Sequence, residues 1–501
     1  MTTGGPRLQD RAPLPPVPFA EPVPGIGAPG ARRNPAWMLS VLLVGYPVFW
    51  VLGLSSFAFT IMAVPMAAVL LRRRPLLMPR GFVLWGMFLC WSAAGFFLLG
   101  VDPTGYVPGS TGGRFIGFAV RETSYVALTV VLLFVGNLSE EELPQERLVR
   151  MLGWFFVTVT AGGVLGLLAP TFEFRSLFEM LLPRSVGSNL YVQSLVHPRA
   201  AQIQELISDQ TPRPAAPFSY TNVWSFNLTL LGVWFLLARR QLRDPLLRSV
   251  PVGVVVVGLV VLVYSLNRAA WVSVAVAVLY IAVRLALRGR LALVAVIVAA
   301  VALGLGAVVT TPLGTVVSQR LDAGKSDTIR EFTTRKAFEL SAESPVAGFG
   351  TTRATYGSAA SIAVGRSPQC PQCGNANIGM NGFLYKLLVT TGYGGAVLFF
   401  GFGAVVWWRV RRLWTPVALA GTTVLLMTLY YSFFYDVSTG LLIPFVTLGL
   451  LWREGRLASA RADRASPTVA ATATNGSPSM VDAGRHASTD PSSADTERLR
   501  P

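Results

Sequence analysis

The sequence predicts an all-α polytopic membrane protein with about twelve transmembrane helices. Of the 501 residues, 52% are hydrophobic and only 13% are charged, whereas an ordinary soluble domain has roughly 25% charged residues. The apolar residues form runs close to the length of about 20 that a helix needs to cross a bilayer. These runs lie near residues 36–50, 54–71, 81–100, 115–135, 151–169, 221–238, 250–266, 269–287, 291–310, 383–408, 416–434 and 437–451.

The net charge of +17 does not indicate a nucleic-acid-binding protein, because the arginines alternate with the apolar runs. Cytoplasmic loops of membrane proteins retain Lys and Arg, so clusters such as Arg72–Arg74 orient the helices. Similar clusters recur in alternate loops, which places both termini in the cytoplasm. The segments 101–114, 171–220 and 312–382 are then expected outside, together with the turn that contains Arg268.

Composition divides the chain into three parts. Residues 1–35 are rich in Pro, Gly and Ala, and residues 453–501 are rich in Ser, Ala, Thr, Asp and Arg. Such compositions bury too little apolar surface to fold. We therefore expect two disordered cytoplasmic tails and one transmembrane domain at residues 36–452, with large outer loops at about 171–220 and 312–382.

Arg268 is a lone cation between two long apolar runs. A guanidinium within a bilayer costs about 2.5 kcal/mol or more unless it reaches water, the interface or an anion. A functional role and simple snorkelling to the interface both explain such a residue.

The outer loop 312–382 is far longer than the roughly two to eight residues that join helices in bundles. Asp327–Leu340 has helical periodicity, with an acidic residue at its start that favours the helix dipole. The segment then ends at Ser344-Pro345 and turns through Gly348 and Gly350, as expected for proline and paired glycines. We therefore expect functional residues in this loop.

Three segments, in order, resemble the O-antigen ligase and polysaccharide polymerase superfamily. Pro217–Asn222 is similar to its P-x-x-x-x-N entry to a span, and Ser265–Trp271 to its S-x-S-R-A-x-W segment. Arg330, Ala337-Phe338 and Pro345–Gly350 resemble its R, A-L, P-L-x-G-x-G element. Each motif is short, but all three fall where the charge pattern predicts the outer face.

The resemblance implies a metal-independent glycosyltransferase of the GT-C type, without a cofactor, in the cytoplasmic (inner) membrane. Its donor would be a glycan on undecaprenyl or decaprenyl diphosphate, its acceptor a glycan or lipid, and its role cell-envelope polysaccharide biosynthesis. Arginines suit a diphosphate because the planar guanidinium stays charged and binds oxygens in pairs. We expect Arg268 and Arg330 as the first ligands, Arg213 next, Asn222 from the entry motif, and Arg335 below them.

Arg121 lies seven residues after Arg114 and therefore on the same helical face, which would suit a second phosphate or acceptor contact. Glu122 beside it offers a simpler explanation, an ion pair within the helix. The sequence favours the ion pair but leaves both roles open.

The catalytic base is where the chain departs from the family. The ligase branch places a histidine near the end of the long loop, but Met380 stands at the matching position, and methionine cannot take a proton. Glu339 and Glu343 are the candidate bases, with a plain surface ion pair to Arg335 as the alternative. His197 is a weaker candidate because no motif surrounds it.

Cys370 and Cys373 lie in a loop expected outside, where thiols oxidise, so a disulfide is favoured over zinc binding or redox catalysis. A rival class is a lipid-linked sugar flippase or another transporter. Transporters typically show internal repeats and interrupted spans in two matching halves. We find neither pattern in the sequence.

Overall fold

Helices dominate the computed structural model, which describes residues 34–187, 190–204, 211–244, 249–322, 325–356 and 376–465. The first nine are α1 (Trp37–Leu43), α2 (Tyr46–Val51), α3 (Ala58–Leu71), α4 (Phe82–Ala94), α5 (Thr111–Asn137), α6 (Gln145–Leu168), α7 (Leu177–Leu181), α8 (Arg184–Gly187) and α9 (Leu190–Val196). The other nine are α10 (Thr221–Ala238), α11 (Val250–Tyr264), α12 (Arg268–Ala286), α13 (Leu291–Thr310), α14 (Pro312–Asp322), α15 (Lys325–Glu343), α16 (Phe383–Val410), α17 (Pro416–Ser432) and α18 (Leu442–Ala465).

The helical membrane class is confirmed, and the number of spans stays a prediction. Six of the described helices are long and apolar enough to cross a membrane, namely α5, α6, α10, α12, α13 and α16. Four further apolar helices, α3, α4, α11 and α17, are shorter. The first predicted run is broken into α1 and α2, because Gly45 and Pro47 stand at the start of the second helix.

Aromatic residues fill the centre of the bundle. Trp85, Trp224 and Trp234 are completely buried. The Trp85 ring stacks on Phe88 at 5.1 Å and meets Phe402 at 5.6 Å. By contrast, α13 has no buried residue, so this all-apolar helix lies at the periphery, as a lipid-facing helix would.

The segment 171–220 contains the short helices α7 to α9 and a small β-hairpin that the sequence did not reveal. Its strands, β1 (Ala201–Gln204) and β2 (Thr211–Pro214), pair antiparallel. A second two-stranded pair, β3 (Arg353–Ala354) and β4 (Asn377–Ile378), lies within the long outer loop. Both pairs are short additions to a helical fold.

The long outer loop, in which the sequence predicts short helices, contains an 11-residue helix, α14, and a 19-residue helix, α15. Ala337 and Leu340 on α15 are fully buried. They pack in a small core of their own with Tyr106, Phe349 and Ile378. That separate core explains how a polar segment sustains a long helix outside the main bundle.

Helix α18 continues to Ala465, beyond the boundary expected at residue 453. Arg453 and Glu454 are only 2% exposed. Arg453 forms an ion pair with Glu140, and Glu454 accepts a hydrogen bond of 2.8 Å from Gln145 Nε2. Paired charges at the α5–α6 connection thus extend the folded domain past the last apolar residue.

The end of α15 is anchored to a break inside α16. Gly392 lies within α16 with φ of 66°, which interrupts the helix. The Phe349 N–H donates to Val389 O at 2.8 Å, and the Gly350 N–H donates to Thr390 O at 3.0 Å. The break deprives carbonyl groups of α16 of their partners within the helix. The loop supplies N–H donors in their place, because buried backbone groups need hydrogen-bond partners.

Two glycines make this anchor possible. Gly348 and Gly350 have φ of 66° and 73°, a region that residues with a Cβ rarely adopt. A Cβ on Gly348 would lie 2.7 Å from Gly392 N, and one on Gly350 would lie 2.1 Å from Gly95 O. The paired glycines therefore allow the loop backbone to lie in close contact with α16 and with the end of α4.

Candidate active site

A cavity of about 840 Å³ opens where α12 and α16 begin, α17 ends and one face of α15 lies across them. Four residues predicted from the sequence line it: Arg268, Arg330, Arg335 and Glu339. The other lining residues are Ala269, Val272, Glu331, Thr334, Phe338, Asn381, Tyr385, Tyr430, Phe433 and Phe434.

Arg268 is the first residue of α12 and lies half-buried after a sharp turn. Leu266 in that turn has φ of 54° without being glycine, a strained conformation of the kind found at functional sites. The Asn267 side chain caps the helix by accepting from the Ala270 N–H at 3.1 Å. Arg268 therefore stands at the N-terminal end of a helix, where its guanidinium and the positive end of the helix dipole share one location.

Arg213 and Asn222 lie behind this turn and do not line the cavity. Arg213 is 6% exposed, and its Nε donates to Ser265 O at 2.7 Å. Asn222 Oδ1 accepts from Arg213 Nη2 and from Asn267 Nδ2, both at 3.4 Å. These contacts hold the backbone from which Arg268 projects, and the ligand role expected of Arg213 and Asn222 stays a prediction.

Replacing Asn267 by alanine is expected to lower the free energy of unfolding by about 0.5–2 kcal/mol, since the N-cap of α12 is lost. Activity should fall as well, because the cap fixes the start of the helix that holds Arg268. Asn267→Ser is the matched control, as serine caps equally well. Thermal unfolding of both variants in detergent measures the effect; equal melting temperatures for the two variants would argue against the cap.

One face of α15 forms a wall of the cavity. The lining positions 330, 331, 334, 335, 338 and 339 repeat with the period of one helical face. Arg330 Cζ lies 4.5 Å from the ring centroid of Tyr435, a cation–π contact that fixes the guanidinium. Arg335 lies about one turn further along and is mostly exposed.

Glu339 lines the cavity within a charged cluster. Lys336 Nζ lies 2.7 Å from its Oε2, and Arg335 Nε lies 3.7 Å from its Oε1. The hydrogen bond from Lys336 lowers the pKa of Glu339 below its ordinary value, with Arg335 acting in the same direction. The carboxylate is thus ionised at neutral pH, and the ion pair anticipated from the sequence is present, which makes Glu339 a weak base.

Of the glutamates near Glu339 on α15, Glu331 lines the cavity and Glu343 does not. Glu343 is exposed one turn beyond the cavity and is not part of its lining. Glu331, which the sequence reasoning missed, lines the cavity next to Arg330. Its spacing of four from Arg335 and eight from Glu339 would have placed it on the same helical face.

The end of the long loop, where Met380 stands in place of the family histidine, reaches the cavity through Asn381. Asn381 lines the cavity and donates from Nδ2 to Thr334 Oγ1 at 2.7 Å. Met380 is 45% exposed and does not line it. The loop end is therefore tied to α15 by an amide, and the methionine contributes no proton acceptor.

Aromatic side chains supply the rest of the lining, and the sequence reasoning missed them. The Phe338 and Tyr385 rings meet edge to face at 5.7 Å. Phe433 and Phe434 are 43% and 38% exposed at the end of α17. The sequence does contain a signal for them, because a cluster of aromatic residues at the end of an apolar run is typical of the membrane interface.

Arg121 and His197 lie elsewhere. Arg121 Nη2 is 2.8 Å from Glu122 Oε1, and its guanidinium lies over the Phe118 ring. The ion pair favoured from the sequence is present, Arg121 does not line this cavity, and its substrate contact stays a prediction. His197 Nδ1 lies 2.8 Å from Glu179 Oε2, outside the lining. Cys370 and Cys373, with their expected disulfide, fall outside the described residues.

Comparison with known families agrees with the motifs. A family model described as O-antigen ligase matches residues 227–371. This part of the chain is similar to the O-antigen ligases. The matched region includes Arg268 and the whole of α15, and therefore every charged residue of the cavity lining. Together with the apolar helices, this similarity to a family of glycan-transferring enzymes indicates an integral membrane protein. No curated protein matches the chain.

Proposed function

We propose that the protein is a membrane glycosyltransferase that transfers or polymerises glycan from a polyprenyl-diphosphate-linked donor. The carrying observation is that Arg268, Arg330 and Arg335, from two separate elements, converge on one cavity with the start of α12. Fixed cations at a membrane-end cavity suit a ligand with two phosphates.

In this reaction the acceptor hydroxyl attacks the anomeric carbon of the donor sugar, and the bond from that carbon to the diphosphate oxygen breaks. Negative charge grows on the leaving diphosphate. Preorganised donors are most effective where charge develops, so the arginines favour the transition state over the ground state. Guanidinium groups perform here the role that a metal ion has in other glycosyltransferases.

The hydroxyl proton passes to a carboxylate, and we propose Glu331 for this role. It lines the same cavity as the arginines, whereas Glu343 does not, and Glu339 is held by Lys336 and Arg335. In the described part of the chain no ion pair engages Glu331, which leaves its carboxylate open to the acceptor hydroxyl. Glu339 then keeps Arg335 and Lys336 in place.

The aromatic lining suits the two other parts of the donor. Phe433 and Phe434, exposed at the end of α17, provide apolar surface for the prenyl chain. Phe338 and Tyr385 offer ring faces of the kind on which apolar sugar faces pack. The diphosphate would bind between these regions, beside Arg268.

We place this cavity on the outer face of the cytoplasmic membrane. Helices α12 and α16 begin at it and α17 ends at it, and arginine-rich loops lie at their other ends. The positive-inside rule then puts the cavity outside and both termini inside.

The function is tested by reconstituting the full chain in vesicles with a polyprenyl-diphosphate oligosaccharide and candidate glycan or lipid acceptors. We expect glycan to move to the acceptor, or to be extended, with release of polyprenyl diphosphate. Chromatography of the labelled glycan measures the transfer. If labelled donor crosses the bilayer and no glycan is transferred, the protein is a flippase and the proposal is wrong.

A further inference from the structure

A second cavity of about 730 Å³ lies far from the candidate active site. Thr415, Pro416 and Val417 at the start of α17 line it, whereas Tyr430 near the end of α17 lines the first cavity. The 17 residues of α17 span about 25 Å. The two cavities therefore lie at opposite ends of one helix, and thus at opposite faces of the membrane domain.

The lining of the second cavity is basic. Arg150, Arg240 and Arg243 contribute to it and are all exposed. In the part of the chain that the structure describes, none of the three has an ion-pair partner. Two carboxylates also line it, Glu146 and Glu454, so that positive charge remains in excess.

The polar remainder of the lining supports an anionic ligand with a hydroxyl group. Glu454 is already engaged, because Gln145 Nε2 donates to its Oε2 at 2.8 Å. Gln241 Nε2 donates to Glu146 O at 3.2 Å. Gln241 Oε1 is buried and accepts no hydrogen bond within the described residues, and a headgroup hydroxyl would satisfy it.

The remaining lining is apolar. Val149, Leu237, Leu242 and Val417 border the cavity beside the arginines. Leu237 belongs to an apolar helix that is long enough to span the membrane. The site thus combines cations with apolar surface at a helix end, as a phospholipid needs at the boundary between headgroup and acyl chain.

We propose that this cavity binds the headgroup of an anionic phospholipid, with Arg150, Arg240 and Arg243 around the phosphate. Basic pockets between transmembrane helices bind acidic headgroups in this way. Binding here would fix α6, α10 and α17 relative to each other at the face opposite the candidate active site. The proposal is independent of the glycosyltransferase function, since the two cavities share no lining residue.

The test uses full-length protein purified in detergent and transferred to mixed micelles with phosphatidylglycerol, with phosphatidylcholine, or with inorganic phosphate alone. Native mass spectrometry counts retained lipid, and thermal unfolding measures stabilisation. We expect retention of phosphatidylglycerol with an increase in Tm. The triple variant R150Q/R240Q/R243Q should bind it about 100-fold more weakly.

The matched control is R72Q/R74Q/R290Q, which removes three exposed arginines that do not line the cavity and should bind lipid as the unaltered protein does. Leu237→Trp narrows the apolar part of the cavity with all charges kept, and should also weaken binding. Undiminished retention by the triple variant would overturn the proposal. Equal stabilisation by phosphate alone, or equal retention of phosphatidylcholine, would do so too.

Discussion

Arg268→Lys is expected to lower glycan transfer by about 10- to 100-fold, although the charge is kept. Lysine is a point charge on a flexible stem and cannot replace the paired hydrogen bonds of a guanidinium. A charge-assisted hydrogen bond contributes about 1.5–3 kcal/mol, which corresponds to this range. The loss should appear in kcat, because the diphosphate gains charge in the transition state.

The control for Arg268 is Arg290→Lys. Arg290 is also an arginine at the start of a membrane helix, the N-cap of α13, but it does not line the cavity. Initial rates with a lipid-linked donor in reconstituted vesicles compare the two variants. If the Arg268→Lys protein is fully active, Arg268 only extends its charge to the membrane interface and does not bind the diphosphate.

Glu331→Gln is expected to reduce kcat by about 10²- to 10⁴-fold, the usual contribution of a general base. The amide keeps the shape and polarity of the side chain but cannot take the acceptor proton. Donor binding should change little, because the arginines remain. Single-turnover rates with saturating donor separate the chemical step from binding.

Two further glutamates serve as comparisons. Glu343→Gln should leave kcat unchanged, since Glu343 lies outside the cavity lining. Glu339→Gln should have a smaller effect than Glu331→Gln, through misplaced Arg335 and Lys336. If Glu339→Gln alone abolishes transfer, the base is Glu339.

The pH profile tests Glu339 independently of the variants. The pKa of Glu339 is lowered from its ordinary 4.5, so Glu339 remains ionised as the pH falls to that value. An acidic limb of the rate profile that lies below pH 4.5 and disappears in Glu339→Gln would therefore identify Glu339 as the base.

Hydrophobic runs predicted the helices well where a single helix fills a single run. The run at residues 221–238 coincides with α10, and residues 291–310 coincide with α13. The break in α16 at Gly392 was not predicted, because composition is unchanged across it. Its cause is tertiary, since the loop at Phe349 and Gly350 takes the hydrogen-bonding places next to the break.

Within the site, the sequence predicted cations better than their surroundings. Arg268 was conspicuous because an arginine near a membrane needs a reason, and Arg330 because it matches the family's motif. Glu331 was not, since an acidic residue on a polar helix is ordinary. Tyr430 and Asn381 come from elements distant in sequence from both arginines, and only the packing of α15 over α12 and α17 brings them together.

The anchor between the paired glycines and the α16 break has an evolutionary consequence. Backbone atoms at Gly348, Gly350 and Gly392 fix the end of α15, while the side chains facing the cavity take no part in that attachment. Under the proposed function, the uncharged positions on the cavity face of α15, such as Thr334 and Phe338, can therefore change to fit a different glycan while main-chain contacts keep the helix and its charged residues in place.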